Sequence, residues 1–181
     1  MAELGSVAWP PALIRTERLV LRPSEPRDRR TVIELQASPE VYANLGGPQP
    51  RDQLEEAVPE TPGRRAGFFV ELDGSMIGMV SFSRRDADRR GHLGPKAGEA
   101  ELSYLFLPEA WGHGYATEAC SAALCWAAQA LPSEPVVLCT QTANERSVRL
   151  AATLGFAETD RFEEFGAKQW FGVKPAVTPA T

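Results

Sequence analysis

Residues Leu105–Leu131 read LFLPEAWGHGYATEACSAALCWAAQAL: an apolar strand end, a turn with glycines at 112 and 114, and a long segment in which Glu118 is the sole charged side chain. Gly112 and Gly114 remove Cβ atoms where the chain turns from a strand ending near Leu107 into a helix starting near Tyr115. The first amides of a helix have no partner within it, and the aligned peptide dipoles place partial positive charge there. A phosphate therefore fits this turn without basic side chains. The near absence of charge along the helix predicts that protein surrounds it and fixes where those amides point. Taken alone, a strand, a GxG turn and a helix also fit a tight turn with no function. The turn does not follow a first strand, as a dinucleotide-binding turn does, and GxxxxGK[ST] is absent, so neither a dinucleotide fold nor a nucleotide-hydrolysing loop is expected.

The rest of the 181-residue chain bounds the reading. At 43% hydrophobic and 24% charged it predicts one globular domain with an ample core. A net charge of −5 argues against a nucleic-acid partner, which would demand basic surface, and leaves a small amine-bearing partner open. Cys120, Cys125 and Cys139 lack CxxC spacing and only two histidines accompany them, so no metal site or disulfide framework is expected, and the cysteines read as small buried apolar residues. The start, MAELGSVAWPPALI, carries no basic segment ahead of an apolar run, and Tyr115–Leu131 is too short and too interrupted to span a bilayer. The expectation is a cytoplasmic protein with no membrane partner.

Outward from the central stretch, strands and helices alternate in order. RLVLRP (Arg18–Pro23) alternates as a strand does, and PRDRRTVIELQAS places Val32, Ile33 and Leu35 on an early helix with Asp28 in its first turn. Asn44–Gly67 is rich in Gly and Pro and reads as an irregular connection with a short helix over Arg51–Val58, fit to border a substrate site. GFFVELDGSMIGMVSFSRR splits at Asp73-Gly74 into a hairpin. DADRRGHLGPKAG predicts a long hairpin loop before EAELSYLFL; its arginines, with Arg84 and Arg85, read either as solvated side chains or as contacts for an anion. PVVLCTQT reads as a strand buried on both faces. NERSVRLAATLGF reads as a short helix from an Asn144 N-cap to a left-handed Gly155. AETDRFEEF and KQWFGVK follow as strands, before a disordered 175–181 tail. The fold class is α/β (α+β), a sheet flanked by helices.

Two of these segments together resemble the GCN5-related N-acetyltransferases. Trp111-Gly112-His113-Gly114-Tyr115-Ala116 matches the family's Q/R-x-x-G-x-G/A motif in its glycine and final alanine, and in NERSVRLAATLGF the residues Asn144, Ser147 and Leu154-Gly155-Phe156 match by residue and spacing. The resemblance runs from Thr16 to about Val173, nearest to the branch that acetylates N-termini of ribosomal proteins. It implies a mixed, mostly antiparallel sheet of six to seven strands, splayed at its centre. The expected domain covers 16–174, after an extension over 1–15. Trp111 departs from the Gln or Arg of the motif, and Ala151 stands where many relatives carry a tyrosine that protonates the leaving thiolate.

The resemblance implies acetyl-coenzyme A as donor and a primary amine, on a small molecule or a peptide N-terminus, as acceptor. The pyrophosphate would sit on the amides of Trp111, Gly112, His113, Gly114, Tyr115 and Ala116. The pantetheine arm would lie beside Tyr104, Leu105 and Phe106, where an N–H near Phe106 faces the thioester carbonyl. Asn144 would bond the pantetheine as well as cap its helix. Ser147 is the candidate acid, or only a hydrogen-bond donor to the thiolate. Glu101 is the candidate base, aimed at the amine directly or through water, with a structural carboxylate as its other reading. His113 reads as a phosphate contact or a solvated side chain, and Tyr104 and Trp126 also as core. Glu163, Glu164, Phe162, Phe165 and Trp170 of the last hairpin are candidate acceptor walls. No metal is expected, and a homodimer is an open expectation. The alternatives are a non-catalytic acyl-coenzyme A sensor on the same fold and a transferase for another acyl group such as succinyl.

Overall fold

The structure, a computed structural model, describes residues 4, 12–63, 67–94 and 97–176. Its strands are β1 (Ile14–Arg15), β2 (Val20–Arg22), β3 (Gly67–Leu72), β4 (Ser75–Arg84), β5 (Ala100–Phe106), β6 (Val136–Gln141), β7 (Ala157–Glu164) and β8 (Ala167–Lys174). Its helices are α1 (Arg29–Ala37), α2 (Pro39–Tyr42), α3 (Arg51–Ala57), α4 (Tyr115–Ala130) and α5 (Glu145–Thr153). The strands form one eight-stranded sheet in the order β1-β2-β3-β4-β5-β6-β8-β7, more strands than the expected six to seven. The additional strand is β1, whose two residues fall inside the expected 1–15 extension and pair with Leu21 and Val20. So short a strand leaves no periodicity to read. Beyond Ala176 the expected disordered tail lies outside the described residues.

The local signals act where expected. Asp73 and Gly74 both take positive φ (48° and 81°), the twist a two-residue hairpin needs, and join β3 to β4. Gly114 enters α4 at φ 81°, and Gly155 follows α5 at φ 84°. Asp28 sits in a 3-10 turn, Pro26–Asp28, rather than in α1 itself. There it is buried and accepts hydrogen bonds from both terminal nitrogens of Arg22, at 2.7 and 2.8 Å.

Every neighbouring pair in the sheet is antiparallel except β5 and β6. One face packs on α4, where Leu102, Phe106, Ala119, Ala123, Leu138 and Trp170 belong to a single buried cluster. The other face meets α1 and α3 through Phe69, Met76, Val32, Leu35 and Leu54. Successive residues of β5 alternate between these layers, so Leu102 and Phe106 join the α4 side while Leu105 packs towards α1. Strand β5 therefore presents chemistry to both sides of the sheet.

Candidate active site

The site begins with two strands that part. β5 and β6 pair in register only at Ala100↔Val136 and Glu101↔Val137. Hydrogen bonds from Arg85 N to Glu99 O (2.8 Å) and from Leu107 N to Ile77 O (3.0 Å) fix which residues of β5 bond to β4. Bonding sides alternate along an antiparallel pair, so the main-chain groups of Tyr104 and Phe106 point towards β6, beyond the point where pairing stops. The Phe106 carbonyl accepts from the Trp111 indole N–H at 2.9 Å. On the opposite bank, the Thr142 N to Lys168 O bond (2.9 Å) sets β6 against β8 so that the main-chain groups of Cys139 face the gap. Two open strand edges thus confront each other inside the sheet.

At one mouth of the gap lies the glycine turn. Trp111 N donates to Pro108 O (3.1 Å) and Glu118 N to Gly114 O (3.1 Å), while between them no acceptor serves the amides from Gly112 to Thr117 among the described residues. The Trp111 amide, expected in this row, is spent on the 3-10 turn Pro108–Ala110, and Thr117 extends the row instead. A Cβ on Gly112 would meet nothing within 4 Å, so space stands open above these donors. The turn is held from behind. Arg18 donates to the His113 carbonyl (3.0 Å) and to Glu118 (2.7 Å), which also accepts from Thr16 (2.5 Å). Burial would raise the Glu118 carboxyl, but the Thr16 hydroxyl and Arg18 outweigh it and hold it below its ordinary value.

A cleft of about 1410 Å³ joins this turn to the opposite face of the sheet. Its lining includes Gly112, Tyr115 and Asn144 at the turn, Tyr104 and Phe106 in the gap, and Met79, Ser81 and Leu105 on the α1 side. Ser103 is exposed although it lies mid-strand in the centre of the sheet. That exposure marks an open trench beside the α1–α2 cover. Gln36, Glu40, Tyr42 and Asn44 wall the trench from α1, α2 and the segment after them.

Tyr104 and Ser147 share a hydrogen bond of 2.6 Å across the cleft. Ser147 is buried, and its amide donates to the Asn144 side chain (3.2 Å), the N-cap expected from the sequence. Burial pushes the Tyr104 phenol well above its ordinary value, so it stays protonated as a donor. Ala151 is fully buried and absent from the lining.

Glu101 is placed differently from a base in direct contact with an acceptor. Its carboxylate pairs at 2.5 Å with Arg85, whose side chain is entirely buried against the carbonyls of Arg90 and Gly91 and the Phe171 ring, and it does not line the cleft. Burial pushes the Glu101 carboxyl up against the pull of Arg85 and Arg89. Arg85, expected as a solvated side chain or an anion contact, is thus a buried partner of Glu101. The sequence gives no sign of this, because the two meet only through β4–β5 register. Of the two readings of His113, its side chain follows the solvated one: it is exposed, its ring stacks on Tyr115 at 5.5 Å, and it is absent from the lining.

The last hairpin does not wall the cleft. Trp170 is buried on the α4 face, Phe162 packs near Phe171, Phe165 is 78% exposed, and Glu164 is taken by Arg89 at 2.8 Å. Of the cysteines read as buried, Cys120 is so, Cys125 is exposed, and Cys139 lines the cleft with its thiol pushed up by burial. Sequence reading missed Ser81, Ser103, Thr117 and Arg146 as cleft residues. Arg146 alone carried a signal, two residues past the Asn144 N-cap.

The family model described as an acetyltransferase (GNAT) domain matches residues 18–157. An uncharacterized N-acetyltransferase of Bacillus subtilis (strain 168), YoaA, is 26% identical over 154 residues, which is 80% of this chain and 82% of its own. Among solved structures, a GNAT-family acetyltransferase from Bacillus anthracis superposes with a TM-score of 0.72 at 19% identity, over 91% of this chain and 98% of its own. Spermidine N-acetyltransferase from Vibrio cholerae, in complex with CoA and spermine, gives 0.69 at 22% identity over 89% and 97%. At these identities the two structures speak for the fold.

Proposed function

Because this chain belongs to the GNAT acetyltransferase family and is an acyl-CoA-dependent N-acetyltransferase, we propose that it transfers acetyl to a primary α-amine, by direct attack within the gap between β5 and β6. The observation that carries this reading is the passage through the sheet. A row of unpaired amides stands at one mouth, an exposed central-strand serine at the other, and open strand edges lie between.

The residues present fit coenzyme A. The amides from Gly112 to Thr117, at the start of a sixteen-residue helix, suit its pyrophosphate. The free main-chain groups of Tyr104 and Cys139 suit the amides of its pantetheine arm, with Asn144 beside them. The acetyl thioester supplies an activated carbonyl. Phe106 N–H points into the gap and offers a donor to that carbonyl oxygen, a contribution worth roughly 10²–10³ in rate where such donors have been removed. The Tyr104–Ser147 hydroxyl pair is the proton source for the departing thiolate, in place of the tyrosine absent at Ala151.

The acceptor class follows from the carboxylates. Those in the lining, Glu40 and Glu145, sit on helices, and the strands that frame the gap contribute none. Glu101 lies on the same face of β5 as Ser103 and is tethered to Arg85, so it takes up the amine's proton only through water. Base assistance is therefore weak, and an acceptor already partly neutral is favoured. About a tenth of an α-amine with pKa near 8 is neutral at pH 7, against under roughly a thousandth of a lysine-type amine. Peptide N-termini and small α-amines fit this; a polyamine fits less well.

Thiol release from acetyl-coenzyme A, measured at pH 7 against amino-acid amides, short peptides, polyamines and aminoglycosides, tests the proposal. Turnover should be fastest with α-amines. Equal or greater kcat/KM with a polyamine would overturn the acceptor class. Failure to bind coenzyme A in a calorimetric titration would overturn the cofactor placement.

A further inference from the structure

The geometry points to Arg146 as a phosphate contact for the coenzyme, held in place by Trp111; this rests on the placement of the coenzyme above. The guanidinium carbon of Arg146 lies 4.8 Å from the centroid of the Trp111 ring. The ring is itself fixed, because its N–H donates to the Phe106 carbonyl at 2.9 Å. Among the described residues two arginines line the cleft, both on α5. Arg149 is bridged to Glu145 at 3.1 Å, whereas Arg146 appears in none of the ion pairs among the described residues. Arg18, behind the glycine turn, is likewise occupied by Glu118 and the His113 carbonyl. Arg146 is thus an exposed cation on the cleft wall, without an ion-pair partner among the described residues and seated over an indole face.

A guanidinium stacked on an aromatic ring keeps its N–H edge free for bidentate hydrogen bonds to a phosphate. Trp111 occupies the first position of the motif, where the resemblance would have a Gln or Arg. The side-chain donor that a Gln or Arg would offer from that position is supplied instead from α5, and the tryptophan becomes its platform. Trp111 acts through Arg146 and is a positioning residue; Arg146 touches the coenzyme.

The test is calorimetric titration of the full chain with coenzyme A and, separately, with 3′-dephospho-coenzyme A. Arg146→Ala should raise Kd for coenzyme A about tenfold or more, a loss that shrinks as salt rises. An equal loss with both ligands assigns the contact to the pyrophosphate, and a loss with coenzyme A alone assigns it to the 3′-phosphate. Either supports the inference. Trp111→Leu should weaken binding to a similar degree, and the double variant should be no weaker than either single one. Trp111→Phe, which keeps a ring but not the N–H, should fall between wild type and Trp111→Leu. Unchanged affinity of Arg146→Ala for both ligands would overturn the contact. Additive losses in the double variant would overturn the role given to Trp111. Wild-type protein that binds neither ligand would sink the coenzyme placement itself, an outcome distinct from these two.

Discussion

A single side chain in this site is defined by what already holds it. Glu101 illustrates the point: the sequence places a carboxylate on the strand entering the site, and only the structure adds Arg85 behind it. Its carboxyl is raised by burial, so the proton uptake proposed for it should fail as pH falls through a pKa above the usual carboxylate range. The acceptor amine titrates higher, near 8 for an α-amine. Below that value log(kcat/KM) should rise with a slope of one per pH unit, steepening towards two once Glu101 also protonates. Glu101→Gln should keep the single slope down to pH 5 and lose about tenfold in kcat near neutrality, less than the roughly 10²-fold or more of a base in direct contact. Identical slopes in the two proteins would remove Glu101 from the proton path. Tyr104 makes the complementary case. With its phenol held protonated, Tyr104→Phe should lower kcat by about 10²-fold while Kd for coenzyme A stays within about twofold. An unchanged kcat would leave Ser147 as the sole donor. Neither partner pairing was legible beforehand, because Arg85 and Tyr104 reach Glu101 and Ser147 through strand register and helix placement rather than sequence spacing.

At the scale of elements, local grammar was legible and pairing partners were not. The Asp73-Gly74 turn, the glycine entry to α4, the Asn144 cap and the Gly155 stop each rest on a few adjacent residues, and each forms as read. β1 escaped because two residues carry no period, and α2 because its four residues, which begin at a proline after a capping serine, fall between the helix read as far as Ser38 and the connection read from Asn44. Gly78 shows what pairing adds. It sits in β4 opposite Phe106, with an ordinary φ, so nothing in the sequence marks it. A Cβ there would fall on the Phe106 ring and stand 2.6 Å from the Leu105 carbonyl oxygen, which is backbone and cannot swing away. Gly78→Ala should therefore destabilise the fold by about 1–3 kcal/mol in thermal or denaturant unfolding, as overpacking does. It should also weaken coenzyme A binding, since the end of β5 carries the Phe106 N–H. A variant as stable as wild type would mean that β4 and β5 separate there at no cost. For comparison, Asn144→Ala should cost about 1 kcal/mol through the lost cap alone.

For the whole molecule, the decisive feature is that two sub-sheets meet along very little backbone. β1 to β5 form one, β6, β8 and β7 the other, and two residue pairs at the base of the gap join them in the ladder. The segment PVVLCTQT looked buried on both faces throughout, yet only Val136, Val137 and Leu138 are buried while Cys139 to Gln141 are partly exposed. Composition could not show this, because the exposure arises from the departure of a neighbouring strand and not from anything in β6. A ligand seated in the gap would bridge the two halves, so its effect should be global. At a coenzyme A concentration of about 100 times Kd the native state gains about 2.7 kcal/mol. For a domain of this size that corresponds to a rise in Tm of roughly 5–11 °C. Hydrogen exchange gives the finer reading. The amides of Tyr104, Phe106 and Gly112 to Thr117 lack backbone partners in the free protein and should exchange quickly, whereas those of Ser103 and Leu105, bonded to β4, should exchange slowly. Coenzyme A should slow the first group selectively. A rise in Tm without that protection would place the ligand elsewhere on the molecule, since binding anywhere on the native state raises Tm but only a ligand in the gap covers those amides.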